Sequence, residues 1–494
     1  MNWFTKNALL FNLVVLVGAL AWIHGGTRPD WLFLVIPWMT LPVLEWLLVY
    51  PQVKKDEHLF DARRRVWRAL ARDPLTYISV LFTVVLVIPL FNVVEMPQFV
   101  KESGEWVKFE PSVAWLPFCT NPDTHGVILL WFIPAMIAVL AAKHGLLKKG
   151  KRVLLETICW NAAALAVLGF IQLWTGTDSI LWMTPMPAYF FSTFGYPNFA
   201  GAFFTLTFAV SFGIWFQQMT ESSKLFSKNI QIILEPPSKF QANKMLIPTV
   251  LCLAAAIATL SRAAILLCVV LVIVFVVYGL LYTWWRMQIG LRVMVVASIV
   301  AVLFSTMALF FAFKLEDLKR EIRTINIEAV TERVSGEGYY HARVAKEIWR
   351  DYPVYGVGGW GYPAYLEAYV TPDERLQLIG GANVHNDSLQ FLAEQGVVGF
   401  GLMVLFGVTL CVVMWWQVIA FYRAKRAWAK NRKLKSINWF YLIPPPTVAV
   451  WAGTTATVCH SLGDLPFRTP AVLVVWLLAF VCATGWIPAS VKSK

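Results

Sequence analysis

The sequence predicts an all-α polytopic membrane protein with about twelve transmembrane helices and one sizeable helical insertion outside the membrane. Hydrophobic residues make up 58% of the 494 positions, charged residues only 14%, and the mean hydropathy is +0.61. This composition excludes an ordinary soluble enzyme. A helix needs roughly 20 mostly apolar residues to cross a hydrocarbon core of ~30 Å, and stretches of that kind recur along the chain.

The predicted spans share a long apolar run bounded by polar or charged residues. They lie near 8–24, 31–50, 76–95, 126–143, 153–174, 197–217, 246–260, 263–284, 292–313, 396–420, 439–459 and 470–488. The weakest is 439–459, because three consecutive prolines at 444–446 interrupt it. Neighbouring helices or water can satisfy the carbonyls that those prolines free. The first span is not expected to be a cleaved signal peptide, because its apolar run continues through Trp22 and Ile23.

Charge in the loops predicts the orientation. Segments 51–75, 143–152 and 421–438 carry seven, five and seven Lys or Arg residues. Because cytoplasmic loops hold the Lys/Arg excess, the alternation predicts that both termini face the cytoplasm. Segment 314–384 has nine basic and eleven acidic residues and then falls outside. The net charge of +13 therefore reflects topology, and no nucleic-acid partner is expected.

Three regions follow from this topology. A membrane domain with the first nine spans is predicted at 1–313, an external loop region at 314–395, and a membrane domain with the last three spans at 396–494. The seven cysteines lie mostly inside spans and form no CxxC pair. Neither a disulfide framework nor a thiolate metal site is indicated.

The apolar run from 245 to 281 must break, because a single helix of that length would measure roughly 54 Å. The stretch "TLSRAAIL" contains its only charge, Arg262, beside Ser261. An Arg at mid-bilayer costs between ~3 and more than 10 kcal/mol, so Arg262 is expected at the interface or facing a cavity. It either marks a turn by snorkelling or pairs bidentately with a phosphate or pyrophosphate, and its position between two long spans favours the second interpretation.

Residues 339–350 are predicted to form an external amphipathic helix. An apolar stripe recurs every four positions at Tyr340, Val344 and Ile348. The cations Arg343, Lys346 and Arg350 share another face, which either binds a polyanionic head group or is a solvated face paired with neighbouring acids. The following stretch "GVGGWG" at 356–361 fits a dinucleotide pattern, but no βαβ context surrounds it. Its glycines are expected to let the chain turn tightly under Trp360 and Tyr362.

The triplet His385-Asn386-Asp387 stands at the external mouth of the next span. Asp387, followed three positions later by Gln390, resembles a capping box, so Asp387 is predicted to cap the helix and Asn386 to hold the loop. Capping does not account for His385. Histidine exchanges a proton near neutral pH, which suits general-base work on a hydroxyl.

Further polar residues could line the same external cavity. The stretch "CHSLGDLPFRTP" offers His460, Asp464 and Arg468 at the turn between the last two spans. Asn198 lies at the end of the external loop "MTPMPAYFFSTFGYPNFAG", whose aromatics suit either an interfacial belt or a cavity wall.

Three stretches together resemble a known family. They are "SRAAIL", "DYPVYGVGGWGYPAYLEAY" and "NVHNDSLQFLAEQGVVGF", and they resemble the O-antigen ligase and O-antigen polymerase superfamily of bacterial inner-membrane glycosyltransferases. The resemblance covers about residues 190 to 485, and the His-Asn-Asp stretch is its most specific part. It implies a metal-independent enzyme of polysaccharide biosynthesis that needs no cofactor and works on the periplasmic face. Its donor would be a glycan on undecaprenyl pyrophosphate, and its acceptor lipid A-core, another lipid-linked glycan, or a protein hydroxyl.

The resemblance also implies roles for the residues. Arg262 and Arg343, and with them Arg350, would bind the donor pyrophosphate; the choice among Arg333, Arg343 and Arg350 stays open, because the family varies in the position of its external Arg. His385 would be catalytic and take the acceptor proton. A lipid-linked-oligosaccharide flippase or another transporter is the rival class. The absence of an inverted repeat and the clustering of polar residues on the outer face argue against it. A membrane scaffold, the second rival, would have no need of His385.

Overall fold

The structure is a computed structural model that describes residues 3–27, 29–186, 189–228, 244–286, 337–375, 383–431 and 443–486. These residues are mainly helical. The helices are α1 (Trp3–Trp22), α2 (Pro29–Val49), α3 (Leu59–Leu70), α4 (Pro74–Val87), α5 (Pro122–Leu140), α6 (Lys148–Thr175), α7 (Pro197–Lys228), α8 (Leu246–Ala258), α9 (Arg262–Arg286), α10 (Glu337–Asp351), α11 (Gly361–Leu366), α12 (Pro372–Arg375), α13 (Asp387–Asn431), α14 (Pro445–Ser461) and α15 (Pro470–Ala483).

Two short antiparallel hairpins are the strands of the described residues. The first pairs β1 (Gln98–Val100) with β2 (Glu105–Val107), and the second pairs β3 (Ser179–Ile180) with β4 (Thr184–Pro185). With so little sheet, the prediction of an all-α membrane protein is confirmed.

The predicted number of twelve spans is not confirmed. Six described helices are long and apolar enough to cross a membrane: Pro74–Phe91, Pro122–Gly145, Lys148–Thr175, Pro197–Met219, Arg262–Tyr282 and Asp387–Ala420. Four more are apolar but shorter: Asn7–Trp22, Val35–Val49, Leu246–Ala258 and Pro470–Trp486. The predicted span at 292–313 lies outside the described residues, as does the predicted domain boundary at 313.

The three prolines at 444–446 begin a helix and do not interrupt one. Pro444 has an extended backbone at the cap position, and α14 starts at Pro445. A proline is tolerated in the first turn because its missing N–H would have no intrahelical partner there. The predicted span at 439–459 therefore starts later than expected among the described residues.

Helix α7 runs through the centre of the bundle, where it packs against α6, α8, α9 and α14. The aromatic side chains from Phe203 to Phe216 are buried, and the ring of Phe212 stacks on Phe275 of α9 at 4.4 Å between centroids. Small residues bring α14 close to α7: a Cβ at Gly213 would lie 2.4 Å from the Ala449 Cβ. Close backbone approach of this kind replaces the hydrophobic effect as the source of helix association in lipid.

Segment 337–375 forms a small core of its own against the start of α13. Val344 and Ile348 of α10 are fully buried, as the predicted stripe requires, and Tyr340 is half-buried. They belong to the same cluster as Tyr362 and Tyr365, which are also fully buried.

Helix α13 breaks at Gly396, whose backbone has φ 59° and ψ −169°. The amides of Val397 and Val398 donate to the carbonyls of Pro353 (2.9 Å) and Val354 (3.1 Å). In return, the Val357 amide donates to the Ala393 carbonyl at 3.1 Å. The turn at 353–357 thus satisfies the backbone groups that the break leaves without helical partners.

Replacing Gly396 by alanine should destabilise the protein. Its backbone conformation is open essentially only to glycine, and a Cβ there would lie 2.3 Å from the Val354 carbonyl oxygen. We expect Gly396→Ala to lower the free energy of unfolding by about 1–3 kcal/mol, or more if the turn at 353–357 is displaced. Thermal unfolding in detergent measures this.

Gly401→Ala is the matched control, because Gly401 lies in the same helix and a Cβ there would meet no atom within 4 Å. Helix propensity alone should make that variant neutral or more stable by up to about 1 kcal/mol. Equal stability of the two variants would contradict the proposed role of the break.

Candidate functional site

His385 lies in the loop that precedes α13 and faces a buried carboxylate. Its Nδ1 is 3.7 Å from Oδ1 of Asp464, which belongs to the loop between α14 and α15. The His385 side chain is 39% exposed and that of Asp464 is 4% exposed. The pair therefore combines an accessible ring with a protected acceptor.

The backbone of His385 is held in the left-handed region, at φ 51°. Histidine is among the side chains that adopt this region more often than most, but the conformation still stores energy and persists only where the surroundings hold it. On one side, the Val384 amide donates to Oε1 of Gln390 at 2.9 Å. On the other, the Asp387 amide donates to the Asp464 carbonyl at 3.2 Å.

Asn386 and Asp387 have exchanged the roles predicted for them. Asn386 precedes the first helical residue, and its Oδ1 accepts from the Leu389 amide at 3.0 Å, so Asn386 is the cap. Its Nδ2 donates to the Leu462 carbonyl at 3.0 Å. The carboxylate of Asp387 instead accepts from the Phe467 amide at 2.9 Å. The prediction of Asp387 as the cap is wrong because the helix begins at Asp387 itself, one residue earlier than the capping-box pattern suggested.

Asp464 is surrounded by donors. The hydroxyl of Tyr196 donates to its Oδ2 at 3.1 Å, Nδ2 of Asn198 donates to the same oxygen, and the Leu465 amide donates to Oδ1 at 2.8 Å. Burial raises the pKa of Asp464, but the facing His385 ring, the Leu465 amide and the nearby His460 outweigh it, so that this pKa lies below its ordinary value. Asp464 is consequently ionised at neutral pH.

A second buried pair lies beside the first. Nη2 of Arg468 is 2.6 Å from Oε2 of Glu394, and the two side chains are 6% and 0% exposed. Oε1 of Glu394 also accepts from Nε2 of Gln390 at 3.0 Å. The Arg468 guanidinium lies over the Trp360 ring at 4.5 Å from its centroid, a cation–π geometry.

The glycine-rich stretch at 356–361 places Trp360 there. Gly356 and Gly358 have φ of 68° and 82°, and Trp360 itself is left-handed at φ 57°. A Cβ at Gly358 would lie 2.7 Å from the Cys119 Cα, and the Gly359 amide donates to Nδ1 of His125 at 2.8 Å. This stretch forms tight turns against the bundle and not a nucleotide loop.

An apolar cavity of about 250 Å³ opens between α4, α5, α13, α14 and α15. Most of its wall is aliphatic or aromatic, with Phe82, Trp131, Phe391, Met403 and Trp476 among the larger side chains. Its polar lining consists of Asp387, Ser388, Ser461 and Arg468. The cavity therefore joins an apolar space to the buried cation of Arg468. Asp387, which also lines it, lies two residues along the chain from His385.

The turn that contains Arg262 packs near the same end of α7. Arg262 is the first residue of α9 and is half-buried. A Cβ at Gly201 of α7 would lie 2.9 Å from the Ser261 Cβ. Asn198, which contacts Asp464, precedes Gly201 by less than one helical turn. The structure thus brings Arg262, Asn198 and the His385–Asp464 pair to one end of the bundle.

Of the predicted cations on α10, Arg343 is engaged by protein carboxylates. Its Nη1 donates to Oε1 and Oε2 of Glu347, both at 2.9 Å, and its Nη2 donates to Oε2 of Glu374 at 2.7 Å. Arg350 is exposed at the end of α10, and Arg333 lies outside the described residues. The carboxylates of Glu347 and Glu374 thus already neutralise the Arg343 charge.

Sequence reasoning missed two members of this site. Glu394 carries the only carboxylate between Ser388 and Ala420, and a lone charge in an apolar span is itself a functional signal. Tyr196 lay within an aromatic-rich loop, where its contact with Asp464 gave no sequence signal. His460, which the sequence did predict to line the cavity, is 2% exposed and lies at the end of α14, four residues before Asp464.

The fold and the site define a polytopic helical membrane protein with a polar, histidine-containing site at one end of its bundle. A family model described as O-antigen ligase matches residues 247–404. The matched residues include Arg262, Arg343, Arg350 and His385, and the match supports membership of the O-antigen ligase family. No curated protein matches the chain. The matched residues cover less of the chain than the resemblance from 190 to 485.

Removing the charge of Glu394 should destabilise the protein strongly. Glu394→Gln keeps the shape of the side chain but leaves the Arg468 cation buried without a countercharge. We expect a loss of about 3–5 kcal/mol in the free energy of unfolding.

The control is Glu367→Gln, because Glu367 pairs with Arg375 where the two side chains are 48% and 50% exposed. That change should cost at most about 1 kcal/mol. Comparable losses in the two variants, measured by thermal unfolding in detergent, would refute the importance of the buried pair.

Proposed function

We propose that the protein transfers a glycan from undecaprenyl pyrophosphate to an acceptor hydroxyl on the periplasmic face of a bacterial inner membrane. The observation that carries this proposal is the His385–Asp464 pair beside an apolar cavity that ends on Arg468. The family match supports a glycosyltransferase with a lipid-linked donor and an acceptor. The reaction is proposed to need neither a metal ion nor a cofactor.

The donor would lie with part of its polyprenyl chain in the apolar cavity. Ligand sites commonly combine an apolar wall with a few convergent polar groups, and this cavity has that form. At its polar end, Nη1 of Arg468 is buried and makes no hydrogen bond within the described residues. Arg262 would hold the pyrophosphate from the start of α9, since a guanidinium binds phosphate oxygens bidentately.

His385 would act as the general base. Nδ1 faces the ionised Asp464, so Nε2 is the nitrogen left to take the proton of the acceptor hydroxyl. As the acceptor oxygen bonds to the anomeric carbon, the bond from that carbon to the pyrophosphate oxygen breaks. The pyrophosphate leaves with the electron pair, and the arginines neutralise its charge. Asp464 would stabilise the imidazolium, as the carboxylate does in other histidine-based sites.

The topology forms part of the proposal. Both termini would face the cytoplasm, and region 314–395 would be periplasmic between membrane domains at 1–313 and 396–494. The acceptor separates three variants of the function: lipid A-core for a ligase, a lipid-linked glycan for a polymerase, and a protein hydroxyl for an O-linked oligosaccharyltransferase.

Transfer in nanodiscs from purified undecaprenyl-pyrophosphate glycan, with each acceptor class supplied in turn, tests this function. We expect His385→Ala to lower the transfer rate by roughly 10²–10⁴, the usual effect of losing a general base, without a change in melting temperature. Asp464→Asn should lower the rate as well, because the amide leaves the imidazolium without a countercharge. A chelator should have no effect on the wild type.

His58→Ala is the matched control, since His58 is exposed and precedes α3 at a distance from this site. It should transfer at the wild-type rate. Full transfer by His385→Ala, or lipid transport without any glycan product, would reject the proposed reaction and favour the flippase.

Arg262 and Arg343 should respond differently to substitution by lysine. Arg262→Lys should impair transfer and weaken donor affinity, because a lysine ammonium cannot reproduce the planar fork of a guanidinium. Arg343→Lys should have the smaller effect on transfer, because Glu347 and Glu374 already occupy that guanidinium. Donor affinity and transfer rate of both variants are to be measured in parallel. If Arg262→Lys kept the wild-type rate and affinity, Arg262 would be a snorkelling residue without a role in donor binding. If Arg343→Lys lost more transfer rate than Arg262→Lys, the pyrophosphate site would lie at α10.

A further inference from the structure

Helix α3 connects two apolar helices and lies at the level where both of them end. It follows α2 and precedes α4, which is long and apolar enough to cross a membrane. The indole N–H of Trp67 donates to the Leu48 carbonyl at the end of α2 at 2.9 Å. On the other side, the hydroxyl of Tyr77, near the start of α4, donates to the Ala71 carbonyl at 2.6 Å. These bonds hold α3 beside the ends of its neighbours, and therefore at the membrane face.

The two sides of α3 differ in the size and exposure of their apolar side chains. Ala62 and Val66, four positions apart, are fully buried against the bundle. Phe60 and Trp67 lie on the opposite side, and their side chains are 71% and 55% exposed. Because seven residues make about two helical turns, the two rings share one edge of the helix. Large exposed aromatic side chains of this kind are typical of the boundary between membrane and water.

Arginine side chains occupy the edge beside the two rings. Arg64 and Arg68, about one helical turn apart, are exposed there. Arg65 instead contacts the protein, with its Nε 2.9 Å from Oε1 of Glu57. Asp61, the acidic residue of α3, is exposed on the same side as Arg64 and Arg68. Two cations against one acid leave the exposed side of α3 with a net positive charge.

The exposed side of α3 thus combines an aromatic edge with a basic edge. A face that only met water, or an acidic protein, would not require the rings of Phe60 and Trp67 at the level of the span ends. In the membrane interface, aromatic rings pack at the boundary of acyl chains and head groups, while arginine side chains extend to the phosphates. A guanidinium also binds phosphate oxygens bidentately. The partner that fits both edges is a leaflet of anionic lipids.

We propose that α3 lies in the membrane interface and binds the head groups of anionic phospholipids through Arg64 and Arg68. Phe60 and Trp67 would insert between the lipids and fix the depth of the helix. The loop charges predict that this leaflet is the cytoplasmic one, at the membrane face opposite that predicted for His385. The lipid-binding surface does not depend on the proposed glycan transfer.

Hydrogen exchange of the full-length protein in nanodiscs tests this surface without any substitution. The amides of 59–70 should exchange more slowly in phosphatidylglycerol than in phosphatidylcholine, because bound lipid suppresses opening of the helix. The amides of α10, which belongs to segment 337–375, are the internal control and should exchange equally in both lipids. Equal exchange of 59–70 in both lipids would overturn the proposal. Equal protection by inorganic phosphate in phosphatidylcholine would identify a free-phosphate site and overturn the lipid assignment.

Substitutions separate an interfacial helix from diffuse attraction between charges. Arg68→Gln should weaken the retention of phosphatidylglycerol, measured by native mass spectrometry, roughly fivefold, which is the usual effect of one cation at an anionic leaflet. Phe60→Ser should also weaken it, because the helix loses part of its apolar anchor. The matched controls are Lys55→Gln, exposed in the preceding loop, and Phe99→Ser, whose ring is 50% exposed in the β1–β2 hairpin. Both controls should retain the lipid as the wild type does.

The comparison between each variant and its control decides the outcome. Equal losses for Arg68→Gln and Lys55→Gln would show diffuse attraction to a charged membrane face and overturn the surface on α3. Full retention by Phe60→Ser would show that the helix stays outside the interface, and would overturn the proposal as well. Arg68 and Phe60 are both exposed, so their substitution should leave the fold intact. If a variant nevertheless failed to fold, hydrogen exchange of the wild type in the two lipids would still decide.

Discussion

The break in α13 at Gly396 is the constraint on which the rest of the site depends. A chain that stops being helical in a bundle of membrane helices must find partners for its freed amides and carbonyls, because lipid offers none. Here the turn at 353–357 supplies them in both directions. Satisfying that break fixes segment 337–375 to the bundle, and the glycines that follow the turn then place Trp360 against Arg468. This one backbone requirement thus sets the positions of the turn at 353–357 and of the short helix from Asp387 to the break. It also sets the positions of the residues at the start of that helix.

The buried pair of Arg468 and Glu394 has a geometric role more than a stabilising one. Desolvating two charges offsets most of their attraction, so such a pair contributes little net stability even though breaking it is costly. What the pair does is hold the guanidinium in one orientation, with Glu394 on one edge and the Trp360 ring on its face. The remaining nitrogen, Nη1, is buried without a protein partner among the described residues, beside the cavity that Arg468 lines. An arginine held in this way is ready for an anion, and it loses little side-chain freedom when the anion binds.

Composition and periodicity predicted the membrane class and the buried stripe of α10, because burial of apolar residues is a local property of sequence. The cap was missed by one residue, since both Asn386 and Asp387 are good caps and only the backbone of the folded loop decides between them. The contact between His385 and Asp464 could not be derived at all, because 79 positions separate the two residues and no spacing rule joins them. Long-range pairs of this kind depend on how the helices pack, and the pattern of polar and apolar residues along the chain does not determine that packing.

The way in which His385 and Asp464 are brought together explains how a pair 3.7 Å apart is suited to proton transfer. Three hydrogen bonds join their two loops: Asn386 Nδ2 to the Leu462 carbonyl, the Asp387 amide to the Asp464 carbonyl, and the Phe467 amide to the Asp387 carboxylate. The backbones are therefore fixed to each other without help from the imidazole and carboxylate themselves. The ring remains partly exposed, while the acceptor carboxylate is held by Tyr196 and Asn198. Hydrogen bonds used in catalysis are often long before the substrate arrives and shorten in the reactive complex. Because the loops are already joined, only a small movement of the His385 ring is needed to close this one.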